Sequence, residues 1–295
     1  MRISANSLMP PMPELVIVLG PTAVGKTDYS IGLAREYGSP VISCDSRQIY
    51  REMKIGTAPP SAEQLAAVPH CFIGTRSVTE PYTAGKYELD ALALLDELFR
   101  DHGTLVMCGG SGLYIDALCN GLDAFPDVDP QIRENLMTRL ENEGLEALRF
   151  ELRRLDPQTY ESIDPANRQR VVRALEVCIG TGRPFSSYKT AAARERPFSI
   201  RKIGLTRERG ELYDRINRRV DLMMEAGLEE EARSLLPYRD FPALNTVGYR
   251  ELFDCFDGKY PLEEAVRLIK RNTRHYAKKQ LTYWGRDDSI EWMQL

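Results

Sequence analysis

Histidine is scarce in this chain: three among 295 residues. His70, His102 and His275 stand at no metal-ligand spacing, so each reads as structural and not as a metal ligand. Cysteine is present six times, at 44, 71, 108, 119, 178 and 255, with no C-x-x-C pair. That argues against a zinc site or a disulfide framework, and for reduced thiols in a cytoplasm. No apolar run reaches the roughly 18 residues of a membrane span. The first 13 residues, MRISANSLMPPMP, carry one Arg and no apolar h-region, so they read as a short disordered start and not a signal peptide.

What is present is ordinary in amount and uneven in placement. Hydrophobic content of 43% and charged content of 28% suit a folded domain of this length, alone or with an insertion. The formal net charge is −4, a weak argument against a nucleic-acid partner. Yet Arg168 to Arg219 holds 14 Lys/Arg against 5 Asp/Glu, and Arg267 to Arg286 holds 7 basic residues and no acid. Two basic segments on an otherwise acidic chain fit a polyanion binder. Solvated helix faces account for them equally well.

Strand and helix signals alternate in the N-terminal third. Leu15–Leu19, Pro40–Asp45 and Thr104–Cys108 read as apolar strands. Lys26–Tyr37 with Gly38 as its stop, Thr83–Arg100 and Leu113–Leu118 read as helices. This alternation predicts an α/β fold, a mainly parallel sheet flanked by helices. Residues 130–196 show helical periodicity and no convincing strand. Lys202–Leu205 then reads as a strand, followed by helices at 208–226 and 227–236 and a long basic helix at 261–284. The expected organisation is an α/β core over 1–122 and 200–295, interrupted by a helical insertion at 123–199.

Chemistry begins at ELVIVLGPTAVGKTDYS, residues 14–30. An apolar run enters Gly20, Pro21, Thr22, Ala23, Val24, Gly25, Lys26 and Thr27, which fit G-x-x-x-x-G-K-[ST] between strand and helix. There, backbone N–H groups and the helix dipole face phosphates, Lys26 neutralises them, and the Thr27 hydroxyl can bind Mg²⁺. The motif leaves open whether a phosphate is transferred or whether phosphates leave. Parallel neighbouring strands bring their carboxyl ends to one edge, so Asp45 is expected beside this loop. A carboxylate there can take a proton, bind Mg²⁺ or orient a hydroxyl; a plain helix N-cap is the alternative. Ser111, in the turn Gly109-Gly110-Ser111-Gly112, can contact a phosphate or a base, although taken alone a tight strand-to-helix turn is the better reading. The strand TLVMC ends without the acid of a Walker-B site, and D-x-x-G and N-K-x-D are absent, so hydrolysis-driven readings lose ground.

In the helical block, DPANRQRVVRALEV offers Asp164 as an N-cap and Pro165 in the first turn. Gln169 and Arg173 are i,i+4 neighbours with Arg170 between them, a row suited to phosphates and base edges or simply to water. Val172, Leu175 and Ile179 mark the apolar side. Of Arg207, Arg209, Arg215, Arg218 and Arg219, most are expected at the surface.

Taken in order, GPTAVGKT (20–27), DSRQIYREMKIGTAPP (45–60), GGSGLYIDAL (109–118), DPANRQRVVRALEV (164–177), RINRRVDLMMEAGLEEEA (215–232), TVGYREL (246–252) and IKRNTRHYAKKQLTYW (269–284) resemble the bacterial-type tRNA dimethylallyltransferases, also called tRNA isopentenylpyrophosphate transferases. The resemblance implies a P-loop NTPase-like core with an inserted helical tRNA-binding domain. It implies transfer of a dimethylallyl group from dimethylallyl diphosphate to N6 of the adenosine 3′ of the anticodon, with Mg²⁺. Gly20 to Thr27 would hold the donor and Thr27 the metal. Asp45 would be the general base, acting with Lys26 and Ser111. Asp45, Ser46, Arg47, Gln48, Ser111, Arg133, Gln169, Arg170, Val171, Val172 and Arg173 would meet tRNA. A cytoplasmic monomer is the family-level expectation.

Departures from the pattern are few. Pro69-His70-Cys71 stands where His-His often follows the proline, Ser111 replaces the usual Thr, and Arg47 replaces Met or Ala. No zinc finger follows before Leu295. Rival readings are a prenyltransferase of free adenine nucleotides, a small-molecule P-loop kinase, and an RNA-binding module without catalysis.

Overall fold

The computed structural model describes residues 12–189 and 194–295. Most of the expected disordered start, and 190–193 of the helical block, lie outside them. β1 (Glu14–Leu19), β2 (Val41–Ser43), β3 (His70–Cys71), β4 (Thr104–Cys108), β5 (Ser199–Thr206) and β6 (Ile290–Gln294) form one parallel sheet in the order β3-β2-β4-β1-β5-β6. Leu15 to Leu19 and Leu105 to Met107 are fully buried, as strands covered on both faces require.

One expectation is corrected here. β2 is not the neighbour of β1: β4 lies between them, pairing Val16 with Val106 on one side and Val41 with Val106 on the other. The central slot goes to the longer apolar strand. Asp45 nevertheless reaches the same sheet edge as the phosphate loop, because all the strands run in parallel.

The helices of this unit are α1 (Lys26–Tyr37), α2 (Ala62–Ala67), α3 (Ala84–Leu98) and α4 (Gly112–Asn120), then, numbered past the insertion, α9 (Arg209–Glu225), α10 (Leu228–Leu235), α11 (Tyr249–Phe256) and α12 (Leu262–Trp284). Gly38 stops α1 in the left-handed region at φ 61°. Ser61 and Gln64 make a reciprocal capping box on α2, which the sequence reading passed over together with α11, β3 and β6. Val16, Val18, Val24, Val106, Leu205 and Ile216 lie in one core between the sheet and its helices.

A second compact unit spans Asn120–Arg194, a few residues before the expected 123–199. Its elements α5 (Pro130–Asn142), α6 (Gly144–Leu155), α7 (Pro157–Ser162) and α8 (Arg168–Thr181) bury Leu136, Leu148, Leu152, Val171, Val172 and Leu175 together. Ile179, expected on the apolar side, is exposed. Asn167, not Asp164, caps α8, accepting the Arg170 N–H at 3.2 Å. The buried Asp156 carboxylate accepts the N–H and hydroxyl of both Thr159 and Ser186. Burial pushes this carboxyl up, but the hydrogen bonds outweigh it and hold it below the usual carboxylate range.

Candidate active site

The loop after β1 needs its glycines. Gly20 has φ 147°, and a Cβ there would lie 2.6 Å from the Leu205 carbonyl oxygen. Gly25, at φ 114°, precedes α1 and aims the loop at the helix N-terminus. Lys26 folds back over the loop, its Nζ donating to the carbonyls of Gly20 at 3.0 Å and Pro21 at 2.9 Å. Burial is the main force pushing its ammonium below the ordinary lysine range; Cys108 and Asp45 act upward and Arg219 downward.

The outside of the loop is held by arginines; Arg209, Arg215 and Arg218 are exposed as expected of most of the five, yet Arg215 joins the half-buried Arg207 and Arg219 in gripping the loop. Arg207 Nε donates to Val24 O and Arg215 Nε to Ala23 O, each at 2.8 Å. Arg219 Nη1 reaches Thr22 Oγ1 at 3.3 Å. Burial lowers the Arg219 guanidinium from its usual range, Arg215 adds to this, and Asp45 opposes it. Arg209 and Arg218 are exposed, Arg209 lying over the Tyr213 ring.

Asp45, just past β2, accepts the N–H of Arg47 at 2.8 Å and of Gln48 at 3.2 Å, both on Oδ1. It thus caps a turn and not a helix, because no helix follows it before α2. Oδ2 accepts no hydrogen bond among the described residues. A cavity of about 540 Å³ is lined by Asp45, Thr22, Arg219, Thr57, Tyr276 and Lys279, among others. Tyr276 is 43% exposed overall; desolvation, then the Asp45 charge, push its hydroxyl up, with Arg47 opposing. His275, expected to be structural, is exposed and also lines this cavity.

Other expected contact residues also bond within the protein. Ser111 Oγ accepts the Ser46 N–H at 2.9 Å and bonds the Ser46 hydroxyl at 3.0 Å, joining the turn after β4 to the Asp45 loop. Gln48 Nε2 donates to Thr57 O at 3.2 Å and Ala58 O at 3.0 Å. Arg47 Nη1 donates to Pro242 O at 3.1 Å, and Arg47 lines both the main cavity and a second one of about 360 Å³.

In the helical unit, Gln169 and Arg170 are exposed, while Arg133 and Arg173 each donate to Glu176 at 3.0 Å. Val171 and Val172 are withdrawn as contact residues: they are 0% and 1% exposed and belong to the core.

The sequence reading missed Gln280 and the part played by Arg219. Gln280 is buried on α12, its Oε1 accepting the Thr22 N–H and its Nε2 donating to Gly110 O, each at 2.9 Å. A signal existed: Ile269, Thr273, Tyr276 and Gln280 recur at helical spacing with polar groups on the inward face.

The molecule's likenesses agree with one another. A family model described as IPP transferase matches residues 48–287. tRNA dimethylallyltransferase 2 of Porphyromonas gingivalis is 54% identical over 278 residues, covering 94% of this chain and 93% of that protein. tRNA dimethylallyltransferase 1 of Phocaeicola vulgatus is 51% identical over 282 residues, covering 95% and 94%. Among solved structures, the full-length tRNA isopentenylpyrophosphate transferase of Bacillus halodurans has a TM-score of 0.70 at 39% identity, covering 95% of this chain and 89% of that one. The chain belongs to the IPP transferase family.

Proposed function

We propose that this protein is a tRNA dimethylallyltransferase. It moves the dimethylallyl group of dimethylallyl diphosphate to N6 of the adenosine 3′-adjacent to the anticodon and releases pyrophosphate. The supporting observation is that Asp45 lines one cavity with Thr22 and Arg219 of the phosphate-loop side.

The exocyclic amine is a poor nucleophile, so the reaction needs a good leaving group and a proton acceptor. The loop amides beyond Thr22, whose own N–H is held by Gln280, act with Lys26 and Arg219 to neutralise charge that grows on the diphosphate as the allylic C–O bond breaks. The C–N bond forms while the electron pair of the broken bond leaves with pyrophosphate. Asp45 takes the N6 proton on Oδ2, the oxygen its turn does not use. A cavity of this size admits an extruded base and shields an allylic cation from water. Thr27 offers a hydroxyl at the second position of α1. No cluster of three His, Cys, Asp or Glu able to hold a metal occurs among the described residues. Thr27 therefore fits Mg²⁺ as a single protein ligand, the others coming from phosphate oxygens and water. When bound, the ion adds to the neutralisation of the leaving diphosphate.

Gln169 and Arg170 contact the tRNA backbone, with Arg133 and Arg173 behind them. No helix of the described residues is long and apolar enough to cross a membrane. The six free thiols suit a cytoplasmic enzyme, which we take to act as a monomer.

Protein, an anticodon stem-loop RNA, Mg²⁺ and dimethylallyl diphosphate, without ATP, test the reading. The expected result is one added prenyl mass and one pyrophosphate per modified base. A requirement for ATP with ADP accumulating would establish the kinase instead, and transfer to AMP alone would establish the free-nucleotide enzyme.

A further inference from the structure

Glu231 on α10 lies outside everything assigned so far, yet its carboxylate is among the most fully used in the molecule. Oε2 accepts the backbone N–H of Lys54 at 2.7 Å and of Ile55 at 2.8 Å. Oε1 accepts the Gly56 N–H at 3.0 Å and the Tyr249 hydroxyl at 2.6 Å. Three consecutive amides converge on one anion, the nest arrangement that proteins use for bound anions, here filled by the chain's own side chain.

The segment so held continues into Gly56, Thr57 and Ala58, which wall the cavity together with Asp45. Ala58 is a non-glycine residue at φ 46°, a conformation that persists only when its surroundings enforce it. The enforcement comes from two sides. Glu231 grips the amides of 54–56, while Gln48 Nε2 grips the carbonyls of Thr57 and Ala58. Gln48 in turn donates its own N–H to Asp45 Oδ1. At Gly56 a Cβ would meet the Tyr249 hydroxyl at 2.6 Å, so the segment has no room to move toward α11.

We infer that Glu231 is a positioning residue of the active site. Through the 54–58 segment and Gln48 it sets the wall that the acceptor base meets and the orientation of Asp45. The inference rests on the proposed prenyl transfer. It separates the acceptor side of the cavity, which depends on Glu231, from the phosphate loop, which does not.

The test is Glu231→Gln in the full chain, with kcat and KM for stem-loop RNA and the affinity for inorganic pyrophosphate measured by calorimetry. An amide keeps the shape but supplies one acceptor oxygen, and its NH₂ opposes the backbone amides. The expected result is a kcat reduced about 10–100-fold, the scale of a sub-ångström to ångström misplacement, with pyrophosphate affinity within about twofold. Gln48→Leu cuts the same relay at its other end and gives the same pattern. The double variant falls little below the worse single one, because both act on one segment. A wild-type kcat for Glu231→Gln, an equal loss of pyrophosphate affinity, or multiplicative losses in the double variant would overturn the role. If Glu231→Gln does not fold, a wild-type kcat for Gln48→Leu overturns it. An unaltered protein that transfers no prenyl group sinks the proposed reaction, and this role with it. Loss confined to the variants cannot be mistaken for that.

Discussion

Gln280 accepts the Thr22 amide proton at 2.9 Å from 258 positions away in the chain. Its other end holds the Gly110 carbonyl, so one side chain fixes the phosphate loop against the turn after β4. Gln280→Ala leaves the buried Gly110 carbonyl without a partner, at about 1–3 kcal/mol, and frees the half-buried Thr22 N–H from its tie. Pyrophosphate affinity is expected to fall about tenfold or more by calorimetry. An unchanged affinity would mean the loop keeps its shape without this tie.

Asp45→Asn isolates the proton. The asparagine oxygen still accepts the Arg47 and Gln48 amides, so the turn survives while the base is lost. Single-turnover transfer should slow on the order of 10²–10⁴-fold, with donor and RNA affinities retained. A near-normal rate removes Asp45 from the role.

Arg219 and Arg218 are adjacent in sequence and opposite in environment. Arg219→Ala should weaken pyrophosphate binding about 10–100-fold, the usual worth of a hydrogen bond to a charged group. Arg218→Ala, on the exposed side of α9, should leave it unchanged. Equal effects of the two would mean that only net charge matters at this loop.

The helical unit is tested by salt. Arg170→Ala should lower the slope of log affinity for stem-loop RNA against log salt by about one, and adding Arg173→Ala by up to about two. Because Arg173 already shares Glu176 with Arg133, the second increment should be the smaller. A slope that does not move assigns this row to solvent.

Asp156 links folding to acidity. Its carboxyl lies below the usual range when folded. The stability it contributes is therefore present above about pH 4, the unfolded value, and is lost as pH falls through the folded one. In denaturant titrations, the advantage of the parent chain over Asp156→Asn should be largest at neutral pH and shrink toward pH 2. An advantage that holds constant with pH contradicts the linkage.

How much of this could be read from residues alone depends on where the signal sits. β1, α1 and β4 were legible because five buried apolar residues, a glycine-rich turn and a glycine stop are local patterns. β3 has two residues and β6 is an edge strand with four of its five residues exposed, so neither produces an apolar run. Strand order escaped because chain order does not say that β4 will enter between β1 and β2. In the site, Gly20 to Thr27 and Asp45 were evident from motif and position. Gln280, Arg219 and Glu231 were not, since a polar residue on a charged helix looks like surface until a loop from elsewhere packs on it. Ser111 and Gln48 were expected as contact residues from the resemblance; their bonds to Ser46, Thr57 and Ala58 were not foreseen.

Lys26 donates to two carbonyls of its own loop. Those oxygens compete with any phosphate for the same ammonium. The hold that the lysine exerts on a diphosphate is thus the surplus over what Gly20 and Pro21 already offer, for donor and pyrophosphate alike. A grip moderated in this way favours repeated cycles: departing pyrophosphate strands no desolvated cation, since the ammonium has a resting place within a side chain's swing. Product inhibition should accordingly be milder than the number of positive charges around the loop implies.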